Sequence, residues 1–129
     1  MNLPEIFSKS DAIHVEKING TVVDYFIFPE FEIHRNRIPP HCTQEWHFHS
    51  KIEEVIVVTQ GELVLSWMEN GNLKRRPVVQ DEIIRVKRSI HTLSNETDFP
   101  CLFTVFRFVP DGVDKRELIK QDKTILKKN

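Results

Sequence analysis

The chain reads as short strands almost throughout, some as continuous apolar runs and one alternating apolar with polar at a period of two, the period of a strand with one face buried. Residues 22–28 read VVDYFIF, β-branched and aromatic, and stop at Pro29. Residues 31–37 alternate cleanly and end at Pro39-Pro40. Residues 44–49 are aromatic and histidine-rich and read as a further strand, and 55–59 form an unbroken β-branched run of the kind buried on both faces. Residues 62–68 and 73–79 flank Asn70-Gly71, which predicts a hairpin, because Asn-Gly tolerates the positive φ angles of a tight turn. Strands over 82–86 and 101–109, a short piece near His91 and an N-terminal strand over 13–18 complete the set. Many short strands at regular spacing predict a closed barrel or a sandwich. No strand alternates with a crossover helix, which argues against an α/β fold. A short helix is expected near 114–120, after the Pro110-Asp111-Gly112 break.

The chain has 129 residues, enough for one domain with its own core. With 29% charged and 40% hydrophobic residues the composition is globular. A net charge of -1 gives no electrostatic reason to expect nucleic acid or an anionic membrane as partner. Cys42 and Cys101 show no CxxC spacing and read as two reduced thiols. The N-terminus lacks a basic start and an apolar segment, and no apolar run approaches the length of a bilayer span. These features predict a cytoplasmic protein.

The chemistry concentrates in residues 45–61, EWHFHSKIEEVIVVTQG. In a strand, residues i and i+2 share a face, so His47 and His49 project together with Phe48 opposite. A turn over 50–53 leads to Glu54, and antiparallel pairing of the two flanking strands would set that carboxylate beside the histidines. Ile56 and Val58 then make an apolar wall beneath it. A mixed imidazole and carboxylate set suits one divalent transition metal: iron, manganese, nickel, cobalt, copper or zinc. The bland reading of a lone His-x-His is a pair of exposed or core histidines.

The whole pattern, HFHSKIEEVIVVTQG, is His-x-His-x4-Glu-x6-Gly and resembles the first motif of the cupin superfamily. The resemblance implies a second motif, matched by QDEIIRVKRSIHTLSN at 80–95, in which His91 supplies the last protein ligand and Asn95 stands at the expected spacing. The match has departures. Gln80 and Arg88 stand where the family usually has glycine, Val86 where it has proline, and His41 takes the place of the leading glycine of the first motif. The resemblance implies a metal set of His47, His49, Glu54 and His91. Glu54 fits the spacing to Gly61, and Glu53 faces away as a rim or surface charge. The implied fold is all-β: one double-stranded β-helix (jelly-roll) barrel spanning 1–129, with its core at about 31–110 and a short helical or extended tail. Strands 13–28 are left without a place in a minimal barrel. Their apolar edges, with the habit of small cupins of exchanging N-terminal strands, imply a homodimer that uses them at its interface.

Other polar residues were weighed by strand parity. Glu45 shares parity with His41, His47 and His49 and is a candidate catalytic base or a group orienting a ligand histidine. Arg85, Lys87 and Arg88 form a charged surface turn or bind an acidic substrate at the pocket mouth. Arg107 is expected to face outward, since a buried arginine needs a partner. Cys42 has the wrong parity for the metal set, and the tryptophans and phenylalanines are expected mostly in the core or a dimer interface. Three histidines and one carboxylate leave open positions on an octahedral ion. The resulting expectation is a metal-dependent enzyme acting on a small oxygen-bearing molecule, with oxygenation of an enol-like or phenolic substrate as leading subclass. The alternatives are a non-catalytic small-molecule binding or sensing module, and a relative of sugar-modifying epimerases or isomerases that work with a histidine base, its carboxylate partner and a tyrosine. A small molecule is the expected partner, with no nucleic acid and no membrane.

Overall fold

The computed structural model describes residues 2–126. A turn of 3-10 helix at Lys9–Asp11 precedes ten strands: β1 (Ile13–Glu16), β2 (Val22–Ile27), β3 (Phe31–Ile38), β4 (Cys42–Thr43), β5 (Glu53–Gln60), β6 (Glu62–Glu69), β7 (Asn72–Val79), β8 (Ile83–Arg85), β9 (His91–Asn95) and β10 (Cys101–Phe108). One helix, α1 (Arg116–Gln121), follows. The strands form two antiparallel sheets, of order β1-β2-β3-β10-β5-β8 and β4-β9-β6-β7. The last strand, β10, inserts between β3 and β5, and this wrapping gives the jelly roll that the resemblance implies. The sheets face each other without joining into one continuous cylinder. Among the described residues no helix is long and apolar enough to cross a membrane.

Alternation places every second residue of each strand in the space between the sheets. From the six-stranded sheet come Ile38, Val58, Ile56, Cys101, Phe103 and Val105; from the four-stranded sheet come Leu63, Val78 and Leu93. Both cysteines are free thiols, and burial pushes that of Cys101 up to about 11. Gly61 makes the turn from β5 to β6 at φ +82, and a Cβ there would lie 2.9 Å from the Pro100 carbonyl oxygen. Both demands select glycine. The β6–β7 hairpin turns at Asn70 and Gly71 with φ of 51 and 78, the primed turn that this dipeptide favours.

Only one phenylalanine, Phe103, lies in the buried core of the described residues. Phe7, Phe28, Phe31, Phe106 and Phe108 instead stack in a row on the outer face of the larger sheet, with ring centroids 5.0 to 5.4 Å apart. The N-terminal strands find a place within their own chain: β2 pairs with β3, and β1 pairs with β2 as the outermost strand, leaving Ile13 and Val15 exposed.

Candidate metal centre

Residues 44–49 form no regular strand, although they run along β9. Cys42 and Thr43 pair with Asn95 and Ser94, whereas His47 exchanges both main-chain hydrogen bonds with His91. One extra residue is therefore accommodated between Thr43 and His47, a bulge that resets side-chain parity. The reset corrects the expectation that His41, Glu45, His47 and His49 share a face. His47 and His49 turn inward, and Glu45 is exposed and offers the site its carbonyl alone. His41 adopts a left-handed φ of 57 at the position where the resemblance expects glycine, and its ring donates to exposed Asp98 instead of entering the site. The second motif's turns are left-handed at Asp81 (φ 73) and Lys87 (φ 52), each one residue from the position where glycine was expected.

His47, His49, Glu54 and His91 converge, each offering one ligand atom, with these atoms all within 4.8 Å of one another. Two histidines have their outer ring nitrogen tied to main chain. His47 Nδ1 donates to the Glu45 carbonyl at 2.9 Å, and His91 Nδ1 donates to the Ser89 carbonyl at 2.9 Å. That leaves Nε2 of each as the free lone pair, the arrangement that orients imidazoles toward an ion. His49 Nε2 meets Glu54 Oε2 at 3.1 Å. Three imidazoles and one carboxylate gathered this closely fit one divalent transition ion.

Glu54 arrives by a route that sequence pairing does not predict. β5 pairs with β10 and β8, not with the histidine segment, so the carboxylate reaches the histidines across the gap between the sheets. Its other oxygen, Oε1, accepts from Arg107 Nε at 2.9 Å and from Arg107 Nη2. Burial pushes the Glu54 carboxyl up. The hydrogen bond and charge of Arg107 outweigh that, helped by His49 and His47, and hold it below its ordinary value. Arg107 thus faces inward, against expectation, and its partner is the candidate ligand itself. The frame of Cys101, Phe103 and Val105, all buried, continues to Arg107 and would have identified it. Phe106 and Phe108, in the opposite frame, belong to the outer aromatic row.

A second polar group was missed. His34 on β3 is 4% exposed and lines the same cavity, of about 90 Å³, as His47, Glu54 and His91. Its Nε2 donates to Glu32 Oε1 at 2.8 Å, and the ring packs edge-on against Tyr25 at 4.5 Å. Burial pushes His34 below its ordinary value against the pull of Glu32, and burial likewise lowers His91 against its bond to the Ser89 carbonyl. Larger hollows lie away from the histidines. One of about 240 Å³ includes Arg35 and Arg37, and a shallow one of about 400 Å³ joins Lys51, Glu53, Arg85, Lys87 and Arg88.

Glu53 points away from the histidines, as expected, but it is buried and not a surface charge. It accepts from the Lys87 main-chain N–H and from Arg85 at 3.1 Å each. Asn95 is a structural knot at 1% exposure: it donates to the Ile38 and Phe99 carbonyls and accepts from Thr97, which shapes the turn into β10. Trp46 and Phe48 are exposed beside the site.

Neither a family model nor a curated protein matches the sequence. Solved structures do match. A "Cupin 2 conserved barrel domain protein" from Salinispora arenicola is 19% identical and superposes with a TM-score of 0.67 over 93% of this chain and 100% of its own. A sugar phosphate isomerase "from a cupin superfamily" from Silicibacter pomeroyi is 22% identical (TM-score 0.61, 72% of this chain and 62% of that one). An oxalate oxidase is 19% identical (TM-score 0.65, 81% and 59%), so this chain spans about six tenths of the length of these last two. At such identities the likeness establishes architecture, and the chain has the cupin fold.

Proposed function

We propose that this chain is a metal-dependent cupin enzyme that acts on a small oxygen-bearing organic molecule, with His47, His49, Glu54 and His91 as ligands to one divalent transition ion. The observation that carries this reading is the convergence of four donors from three separate stretches of chain, with two of the imidazoles already oriented by main-chain carbonyls. A bound ion would supply Lewis acidity and open positions for a substrate oxygen or, if redox-active, for dioxygen. The chain's own residues do the rest. Arg107 fixes the rotamer of Glu54, and Ile56, Leu93, Phe103 and Val105 line the cavity and exclude water. Glu45 enters this proposal through its carbonyl, as the group that orients His47, in place of a general base.

Oxygenation of an enol-like or phenolic substrate is the reaction class we favour. A second reading has specific support: Glu32 orients His34, Tyr25 packs against it, and both rings border the cavity, the set that proton transfer in an isomerase requires. Elemental analysis of protein purified without added metal tests the ligand set, which predicts about one ion per chain. Oxygen consumption and proton exchange across diketones, catechols and flavonoids then separate the two chemistries. Saturable binding of a panel member without turnover would favour a non-catalytic binding module.

We also propose a two-fold homodimer through the N-terminal strands, because β1 is an edge with exposed Ile13 and Val15. Light scattering at micromolar concentration should give twice the monomer mass. A monomeric mass, unchanged on deletion of residues 1–20, overturns it.

A further inference from the structure

Arg107 is only partly used by the interaction that holds it. The side of its guanidinium bearing Nε and Nη2 grips Glu54 Oε1, and among the described residues Nη1 makes no hydrogen bond. The side chain is 33% exposed and borders the cavity of the histidines. Register places Arg107 between Glu32 and Glu54 on the inner face of the sheet, but the contacts are unequal. Glu32 turns its Oε1 to His34, so the arginine is neutralised on one side alone. The second oxygen of Glu54 is turned to His49. The other full charge bordering the cavity is Lys17, again a cation, and among the described residues no carboxylate besides Glu54 borders it. The cavity therefore has one acid, already engaged, and two bases.

We infer that this cavity binds a small carboxylate anion, with the free end of Arg107 as its anchor. The inference deepens the metal-dependent reading above, and it names the substrate class: a few-carbon acid whose carboxylate meets Arg107 while a second oxygen faces the histidines. A guanidinium presents parallel N–H donors that match the two oxygens of a carboxylate, which a lysine ammonium cannot do. The volume of about 90 Å³ is far below the roughly 300–1,000 Å³ of pockets for drug-sized ligands, which restricts the acid to a short one. A β-keto acid, with an enolisable oxygen beside its carboxylate, meets each requirement.

The test is calorimetric titration of the full chain, metal-loaded and metal-stripped, with acetoacetate, its uncharged analogue acetoacetamide and inorganic phosphate. Acetoacetate should bind roughly tenfold or more tightly than the amide, the scale of a hydrogen-bonded charge. Arg107→Met should abolish that preference and Arg107→Lys should keep part of it. Should Arg107→Met fail to fold, Arg107→Gln, which retains a donor to Glu54, makes the same comparison. Equal affinity for acid and amide in the wild type, an intact preference in the folded Arg107 variant, or phosphate binding about tenfold tighter than acetoacetate would each overturn the assignment. Elemental analysis of the same samples keeps the two readings apart: a wild type without metal sinks the metal centre, while the preference for acid over amide still reports on Arg107.

Discussion

Three adjacent strands carry two chemistries on one face. Followed in the same direction, β10 presents Cys101, Phe103, Val105 and then Arg107; β5 presents Val58, Ile56 and then Glu54; β3 presents Ile38, Asn36, His34 and then Glu32. At one end of the inter-sheet space the facing residues are mostly apolar and the hydrophobic effect holds the sheets together. At the other end the same alternation delivers two carboxylates, an arginine and a histidine to neighbouring positions. Inward parity therefore says where a side chain points but not what it is for. The apolar end makes the fold and the polar end draws on its stability.

Substitutions at the two ends should separate these roles. Phe103→Ala should lower the unfolding free energy by about 3–5 kcal/mol, a large share of the 5–15 kcal/mol of an ordinary domain, as read by urea unfolding. Glu54→Ala and His91→Ala should leave a folded protein and remove its metal, as read by elemental analysis. Glu53→Ala strands the Lys87 N–H and should cost about 1 kcal/mol with metal content unchanged. If Glu53 mattered more to metal than Glu54, the wrong carboxylate would have been assigned.

The polar end should also show itself in pH. In the metal-free protein His34 and His91 have folded values below the ordinary 6.5, so the unfolded chain takes up protons that the folded one resists. Their contribution is fully present above 6.5 and is lost as pH falls through it toward the depressed values. The urea midpoint should decline from pH 8 to pH 5, and His34→Gln should flatten that slope. A midpoint that rises on acidification contradicts the burial of both rings.

His41→Gly should have the smallest effect. Removing a left-handed non-glycine residue relieves about 1–2 kcal/mol, while glycine costs about 0.5–1 kcal/mol in chain entropy and the exposed pair with Asp98 adds about 0–1 kcal/mol. Thermal melting should show no change or a rise of a few degrees, with metal content constant. A clear fall would mean that the Asp98 contact ties down the loop before β10.

A strand that alternates, such as β3, was legible because one face meets the core and the other meets water. The four converging donors were legible as residues, since His47 and His49 keep their i, i+2 relation and His91 stands at the spacing implied by the second motif. The partnership of strands was not. Nothing local says that β5 and the histidine segment lie in different sheets, so Glu54 was placed beside the histidines for the wrong reason. The bulge between Thr43 and His47 is also invisible locally, because it is a mismatch with β9, about fifty residues away in the chain. Arg107 was expected outward because a buried arginine needs a partner, and the partner, Glu54, lies on a neighbouring strand about fifty residues away in the chain.

The free borders of the two sheets differ in how they meet other molecules. β4 has two residues and β8 three, too short to template a partner, and β7 carries Lys74, Arg75, Arg76 and Pro77 in a row. Among the described residues, β1, with Ile13 and Val15 exposed, is the only border strand with neither brevity of that degree nor a run of positive charge. A particle with one adhesive border has a valence of one. On the dimer proposed above, growth would end at two copies, and a concentrated solution would hold closed pairs in place of filaments.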